Sequence, residues 1–242
     1  VRRSLARHHA AHSHAVSTLV TAIEMAEDHP LLAPSDRERR IPLLAPVNAK
    51  IGPAIAAEVE RLLAQGFGTL KVKVGFDVRA DLARVAFIQR SVGNRALLRL
   101  DGNQGYSRAD AERFVAGLDP TSIELLEQPC KDSDWEAAAA LPSRSPVPMM
   151  LDESIYASAD IERAAKLKAA RYIKLKLAKA GGIDALTNPV DIRAADFAFY
   201  NCETRDVTGQ ATDFIVTTAA ADRLHHHLVL ERGRIPSHFQ PP

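Results

Sequence analysis

The chain has 242 residues, 46% of them apolar and 25% charged, the make-up of an ordinary globular protein with room for one large α/β domain and its core. A formal charge of +1, from acids and bases spread along the whole length, excludes the basic footprint of a nucleic-acid or anionic-membrane binder and leaves a small molecule as the expected partner. Two cysteines, Cys130 and Cys202, are too few for a metal cluster or a disulfide scaffold and read as buried thiols of a cytoplasmic protein.

The opening Val1-Arg2-Arg3 is basic, but His8, His9, His12 and His14 interrupt any apolar signal core, which argues against a secretory signal. The start at valine suggests a trimmed chain. Those four histidines, like His225 to His227, read as exposed polar residues rather than ligands. Ala15 to Glu27 reads as one helix and His29 to Arg40 as a charged connector containing proline, too little for a second domain. No stretch approaches the roughly 20 apolar residues of a membrane span.

From residue 41 short β-rich runs alternate with amphipathic helical stretches, the rhythm of βα units and a parallel sheet. The strands are expected at Ile41 to Val47, Leu70 to Val74, Ala96 to Asp101, Ser122 to Glu127, Met149 to Glu153 and Tyr172 to Leu177. Between them the apolar spacing predicts helices at Ile55 to Gln65, Ala80 to Ser91, Arg108 to Leu118, Trp135 to Leu141 and Ala159 to Ala170. After Gly181-Gly182 the pattern weakens. Phe197 to Cys202 and His227 to Glu231 would serve as strands seven and eight, around a helix near Ala211 to Leu224. Eight units close into a (β/α)₈ TIM-type barrel, complete or incomplete, whose site lies where strand C-termini meet the following loops. An open doubly wound sheet is the alternative. The expected division is 1–40 as a preceding segment and 41–242 as the barrel, with 184–242 atypical.

Five charged residues, Lys73, Asp101, Glu127, Asp152 and Lys176, close five successive strands at separations of 28, 26, 25 and 24, about one βα unit each. In a barrel such spacing gathers them at one mouth. Strand alternation puts Lys71 beside Lys73, Asn103 beside Asp101 and Lys174 beside Lys176. Three carboxylates on neighbouring strands repel unless a cation sits among them, and hard oxygen donors suit Mg²⁺, with Mn²⁺ as a substitute. Lysines on strands two and six of eight face each other, so a carboxylate chelated to the metal would present its α-carbon between them. Proton removal on one side and return on the other follows. Taken singly, each residue has a plainer reading. Lys-x-Lys is a common solvated strand face, Asp101-Gly102 a turn, Asp152-Glu153-Ser154 a helix cap, and Glu127 before Gln128-Pro129 a strand end. The joint spacing favours the metal site. No phosphate-cradling Gly-rich loop or Ser/His/Asp order stands out.

These residues resemble the muconate-cycloisomerase-like branch of the enolase superfamily, the mandelate racemase and muconate lactonizing enzyme family. The matches are Leu70-Lys71-Val72-Lys73-Val74-Gly75, Leu100-Asp101-Gly102-Asn103, Leu126-Glu127-Gln128-Pro129, Leu151-Asp152-Glu153-Ser154, and Ile173-Lys174-Leu175-Lys176 followed by Lys179-Ala180-Gly181-Gly182-Ile183, within residues 41 to 185. The resemblance implies Asp101, Glu127 and Asp152 as metal ligands, Lys73 and Lys176 as the acid/base pair and Lys71 as an assistant. It implies a Mg²⁺-dependent racemase, epimerase or cycloisomerase that abstracts the α-proton of a small carboxylate substrate to give a metal-stabilised enolate, in a chain that forms a homo-oligomer. An o-succinylbenzoate-synthase-like dehydratase, or an inactive barrel keeping the metal pocket, are the other readings. The chain departs from the family where a full capping domain would precede the barrel: residues 1–40, with Ala22-Ile23-Glu24-Met25-Ala26, match only its end. No Gly-rich seventh strand or acidic eighth-strand motif is recognisable.

Overall fold

The computed structural model describes residues 1–30 and 44–187, together with the backbone of three short strands, Ala198–Tyr200, Thr204–Arg205 and Ala211–Asp213. Two compact units divide it. Among the described residues, one comprises residues 44–154 and 164–172; the other comprises residues 1–30, 155–163 and 173–187.

In the first unit, β1 (Ala45–Val47), β2 (Thr69–Lys73), β3 (Leu97–Asp101), β4 (Ile123–Glu127) and β5 (Met149–Leu151) lie side by side in chain order, every pair parallel. The helices α3 (Gly52–Ala64), α4 (Val78–Val92), α5 (Arg108–Ala116) and α6 (Trp135–Ala140) connect them. Parallel crossovers are right-handed almost without exception, so a sheet in which each strand adds to the same edge carries all its helices on one face. An open doubly wound sheet instead reverses direction at a switch point. No reversal occurs among β1 to β5, and this unit has the winding of a barrel wall.

Period-two alternation explains the packing. Leu70 and Val72 of β2, Leu98 and Leu100 of β3 and Leu126 of β4 are fully buried and meet Ile55, Val59, Leu62, Val85, Ile88, Val92 and Phe114 of the helices. Each such side chain contributes about 1.5–3 kcal/mol on leaving water. The alternate residues, including Lys71, Arg99 and Asp101, project from the opposite face. The helices start where capping chemistry lets them: Asp77 accepts from Ala80 N at 2.8 Å, Ser107 from Asp110 N at 3.1 Å and Asp134 from Ala137 N at 2.9 Å.

The second unit holds α1 (Arg2–Ala6), α2 (Ser13–Ala26), α8 (Leu177–Ala180) and α9 (Ile183–Thr187). It also carries most of α7 (Ser158–Leu167) and of β6 (Tyr172–Lys174).

Every expected strand and helix between residues 44 and 177 is present within a few residues of its limits. Three details differ. The strand around Asp152 stops at Leu151, and the strand around Lys176 stops at Lys174, so both charged residues stand just beyond their strands. Asn103 leaves β3 with a φ of 41°, in a turn rather than on the face of Asp101. The helix expected from Ala211 begins instead as a short strand, Ala211–Asp213, paired antiparallel with Thr204–Arg205. Cys202, the rest of the expected seventh and eighth strands and His225 to His227 lie outside the described residues. Among the described residues no helix is long and apolar enough to cross a membrane.

Candidate active site at the strand ends

The C-terminal ends of β2, β3 and β4 bring together four of the six residues singled out in the sequence. Lys71 Nζ stands 2.7 Å from Asp101 Oδ2 and donates to Glu127 Oε2 at 3.2 Å. Lys73 Nζ donates to the same Asp101 Oδ2 at 2.6 Å and also to Asn103 Oδ1. Asp101 and Glu127 are 1% and 3% exposed, whereas the Lys73 side chain is half exposed. Burial pushes the Asp101 carboxyl upward, and the two neighbouring ammonium groups outweigh it, holding the group below its ordinary value.

A one-residue irregularity makes that meeting. Leu98 pairs with Ile123, but Arg99 pairs with Leu125, so Glu124 is an extra residue in β4. Without it the register would set Asp101 against Leu126; with it Asp101 faces Glu127. A one-residue slip turns a strand's side chains to the other face, which is why an inserted residue here changes the chemistry of the rim. Arg99 holds the insertion, with Nε and Nη2 donating to the Glu124 carboxylate at 2.7 and 3.1 Å.

The loops after these strands pack backbone on backbone. A Cβ on Gly75 would stand 2.3 Å from Gly102 O, and one on Gly105 would stand 2.1 Å from Gly75 O. Gly75 moreover has a φ of 99°. Asp81, at the start of α4, fixes the first of these loops by accepting from Gly75 N at 3.0 Å, Phe76 N at 2.9 Å and Tyr106 Oη at 2.6 Å. Burial and that hydrogen bond raise the Tyr106 phenol well above its ordinary value and keep it neutral. Arg84 adds a tie to the strand itself, its Nη1 donating to Lys73 O at 2.9 Å.

Asp152, 1% exposed, joins the rim through Gln128. The buried Gln128 Oε1 accepts from Asp152 N at 2.9 Å and Ser154 N at 3.2 Å, while its Nε2 donates to Ser154 Oγ at 2.8 Å and Cys130 O at 3.1 Å. Every polar atom of that side chain is thereby used to lock the end of β4 to the segment after β5. Buried surroundings push the Cys130 thiol up to about 11, so it is a packing group rather than a nucleophile.

Neither Asp81 nor Gln128 was marked by the sequence reading. The local signal for Gln128 is a polar residue beside the strand-ending Glu127. Asp81 is an acidic residue in the first turn of a helix, a common position that carries no signal of its own. Lys176 belongs to the other unit, where it precedes α8 and helps line a cavity of about 300 Å³ with His9, Tyr156, Ser158, Lys179 and apolar neighbours.

The three carboxylates suit a hard divalent cation in donor type, burial and placement at consecutive strand ends. Their oxygens are not drawn to one point: among the described residues no three acidic, histidine or cysteine side chains form a group that could hold an ion. Between Asp101 and Glu127 it is the Lys71 ammonium that supplies the positive charge.

The model of the enolase C-terminal domain-like family matches residues 54–197, more than half of the chain. The chain belongs to this family. As a family member it is 37% identical over 132 residues to an L-Ala-D/L-Glu epimerase of Bacillus subtilis, a match covering 53% of this chain and 36% of that protein. Among solved structures it resembles muconate cycloisomerase from Pseudomonas fluorescens, with a TM-score of 0.64 and 31% identity over 71% of this chain and 48% of that one. A dipeptide epimerase from Cytophaga hutchinsonii, solved with Mg and D-Ala-L-Val, matches with a TM-score of 0.63 and 28% identity over 69% of this chain and 45% of that one. The chain spans about a third of the length of the Bacillus epimerase and just under half of the two solved chains.

Proposed function

We propose that the chain carries the metal and proton-transfer machinery of a racemase or epimerase acting on a small carboxylate, with a dipeptide as the substrate class. The observation that carries this reading is the pair of ammonium groups converging on buried Asp101 beside Glu127, one locked and one half exposed. The family relatives named as epimerases support it. Cycloisomerisation is the other reaction class that the muconate cycloisomerase likeness supports.

In this reading Asp101, Glu127 and Asp152 hold Mg²⁺, or Mn²⁺ in its place. When bound, the cation stabilises the negative charge that grows on the substrate carboxylate as the α-proton leaves. Lys73 and Lys71 divide the remaining work by exposure. Lys73, half exposed at the rim, meets the substrate and carries the proton to or from its α-carbon. Lys71, its side chain 10% exposed and held by two carboxylates, sets the local field rather than touching the substrate. Asn103, bonded to Lys73 and donating to Glu153 Oε1 at 3.2 Å, orients the Lys73 amine. Lys176 is assigned as the second acid/base on its place in the family motif alone.

The test is α-proton exchange. In D₂O with Mg²⁺, alanyl dipeptides, N-acylamino acids and muconolactone are followed by proton NMR. Loss of the α-proton signal from one of these classes, abolished by Lys73→Ala for the epimer whose proton Lys73 takes, is the expected result. If no class exchanges above the no-enzyme rate, the reading falls.

A further inference from the structure

Helix α2 and the turn before it hold a set of backbone groups within their unit. Buried stripe residues of α2 run Val16, Ser17, Val20, Glu24, so a hydroxyl and a carboxylate sit among the apolar positions, each 1% exposed. Glu24 Oε2 accepts from Ile183 N at 2.6 Å and Oε1 from Asp184 N at 3.1 Å. Ser17 Oγ accepts from Gly181 N at 2.8 Å, and His9 Nε2 donates to Lys179 O at 2.8 Å. Four backbone groups between residues 179 and 184 are therefore held by three side chains that lie more than 150 residues earlier.

The glycine pair makes the approach feasible. A Cβ on Gly182 would stand 2.5 Å from Val20 Cγ1 and 2.9 Å from Glu24 Oε1, and one on Gly181 would stand 3.2 Å from the His9 ring. Both glycines have positive φ, 92° and 126°. Lys176 is tied directly to this held segment. Its carbonyl accepts from Lys179 N at 2.9 Å and Ala180 N at 3.1 Å, the bonds that form the single turn of α8. The turn has Lys176 at one end and the clamped Gly181 at the other. A four-residue helix has little stability of its own, so the direction of the Lys176 backbone depends on what anchors the far end.

We infer that Ser17 and Glu24 are positioning residues for Lys176, fixing the α8 turn so that its amine is held in one place. The inference rests on the proposed role of Lys176 as the second acid/base. A proton-transferring amine must be placed to within about half an ångström, so a loosened anchor slows the step it serves while leaving substrate affinity largely intact.

The experiment uses the full chain with Mg²⁺ and the two α-carbon epimers of a dipeptide that exchanges. Each epimer gives its proton to one of the two lysines, and Lys176→Ala identifies which one. Ser17→Ala and Glu24→Gln are expected to slow α-proton exchange of that same epimer about tenfold in kcat, with KM and the other epimer changed less than about twofold. Ser17→Thr, which keeps the hydroxyl, is expected to restore the rate. Amide hydrogen exchange on the same variants reads the anchor itself: Gly181 in Ser17→Ala, and Ile183 with Asp184 in Glu24→Gln, should lose protection. Equal slowing of both epimers, no slowing of either, or unchanged amide protection overturns the inference. Absence of exchange from either epimer in the unsubstituted chain is the separate failure of the functional reading, and the inference falls with it.

Discussion

The strand-end rim of the first unit and the Lys176 segment of the second place their charged side chains by different means. In the rim, register does the placing. Lys71, Lys73, Asp101 and Glu127 are consecutive consequences of strand pairing, corrected once by the extra residue Glu124 and sealed by loops that touch through glycine. The Lys176 segment has no ladder to rely on, because β6 ends two residues earlier and α8 is a single turn. Its geometry comes from side chains of α2 bonding to backbone amides. The lesson is that a lysine at the end of a strand inherits its position from the sheet, whereas one beyond the strand has to be given a position by something remote in sequence.

The largest expected effect breaks the rim. Lys71→Met leaves Glu127 and Asp101 short of a buried cation, and is expected to lower unfolding free energy by about 3–5 kcal/mol in a urea titration. A loss below ~1 kcal/mol would mean that register alone, without the ion pairs, holds the rim. Next, Gly75→Ala introduces a Cβ against Gly102 O at a backbone angle that disfavours alanine. About 3 kcal/mol is expected by the same titration, and an unaffected midpoint would show that the loops do not pack as tightly as the rim requires. Tyr106→Phe removes one of three donors from the buried Asp81 carboxylate. The expected cost is about 1.5–2 kcal/mol, with Lys73-dependent exchange slowed as the β2 loop loosens.

The smallest effect belongs to the second unit and is read against pH. Asp184 is held below the ordinary carboxylate range, first by the hydrogen bond from His29 at 2.9 Å and then by Arg2. A lowered folded-state value means that the stabilisation is present above the unfolded-state value and disappears as pH falls through the folded one. Asp184→Asn should therefore cost under ~1 kcal/mol at neutral pH, since the side chain is 61% exposed, and nothing near the acid end of the curve. A cost that grows toward acid would reverse the sign.

How much of this was readable in the residues follows the same division. Lys71, Lys73, Asp101 and Glu127 were legible because strand alternation and unit-length spacing are local patterns, and they survive folding unchanged. Asp152 and Lys176 were legible by motif but not in kind, since each stands past the strand it was expected to end. The extra residue at Glu124 left no mark, because β4 keeps its apolar character with or without it. Gln128, Asp81 and the glycine contacts were silent for a physical reason: their meaning is a backbone approach between separate loops, which no single window of sequence contains. Ser17 and Glu24 carried a faint signal, polar residues at the buried spacing of Val16 and Val20, and His9 was read as merely exposed although it bonds Lys179 O.

The central claim, that the rim carboxylates hold one divalent ion for proton transfer by Lys73, is met most directly by calorimetric titration of Mg²⁺ into the chain and into Asp101→Asn, Glu127→Gln and Asp152→Asn. One Mg²⁺ per chain, with affinity cut at least about tenfold in each variant, is the predicted result. Binding that is absent from the unsubstituted chain, or indifferent to all three substitutions, contradicts it.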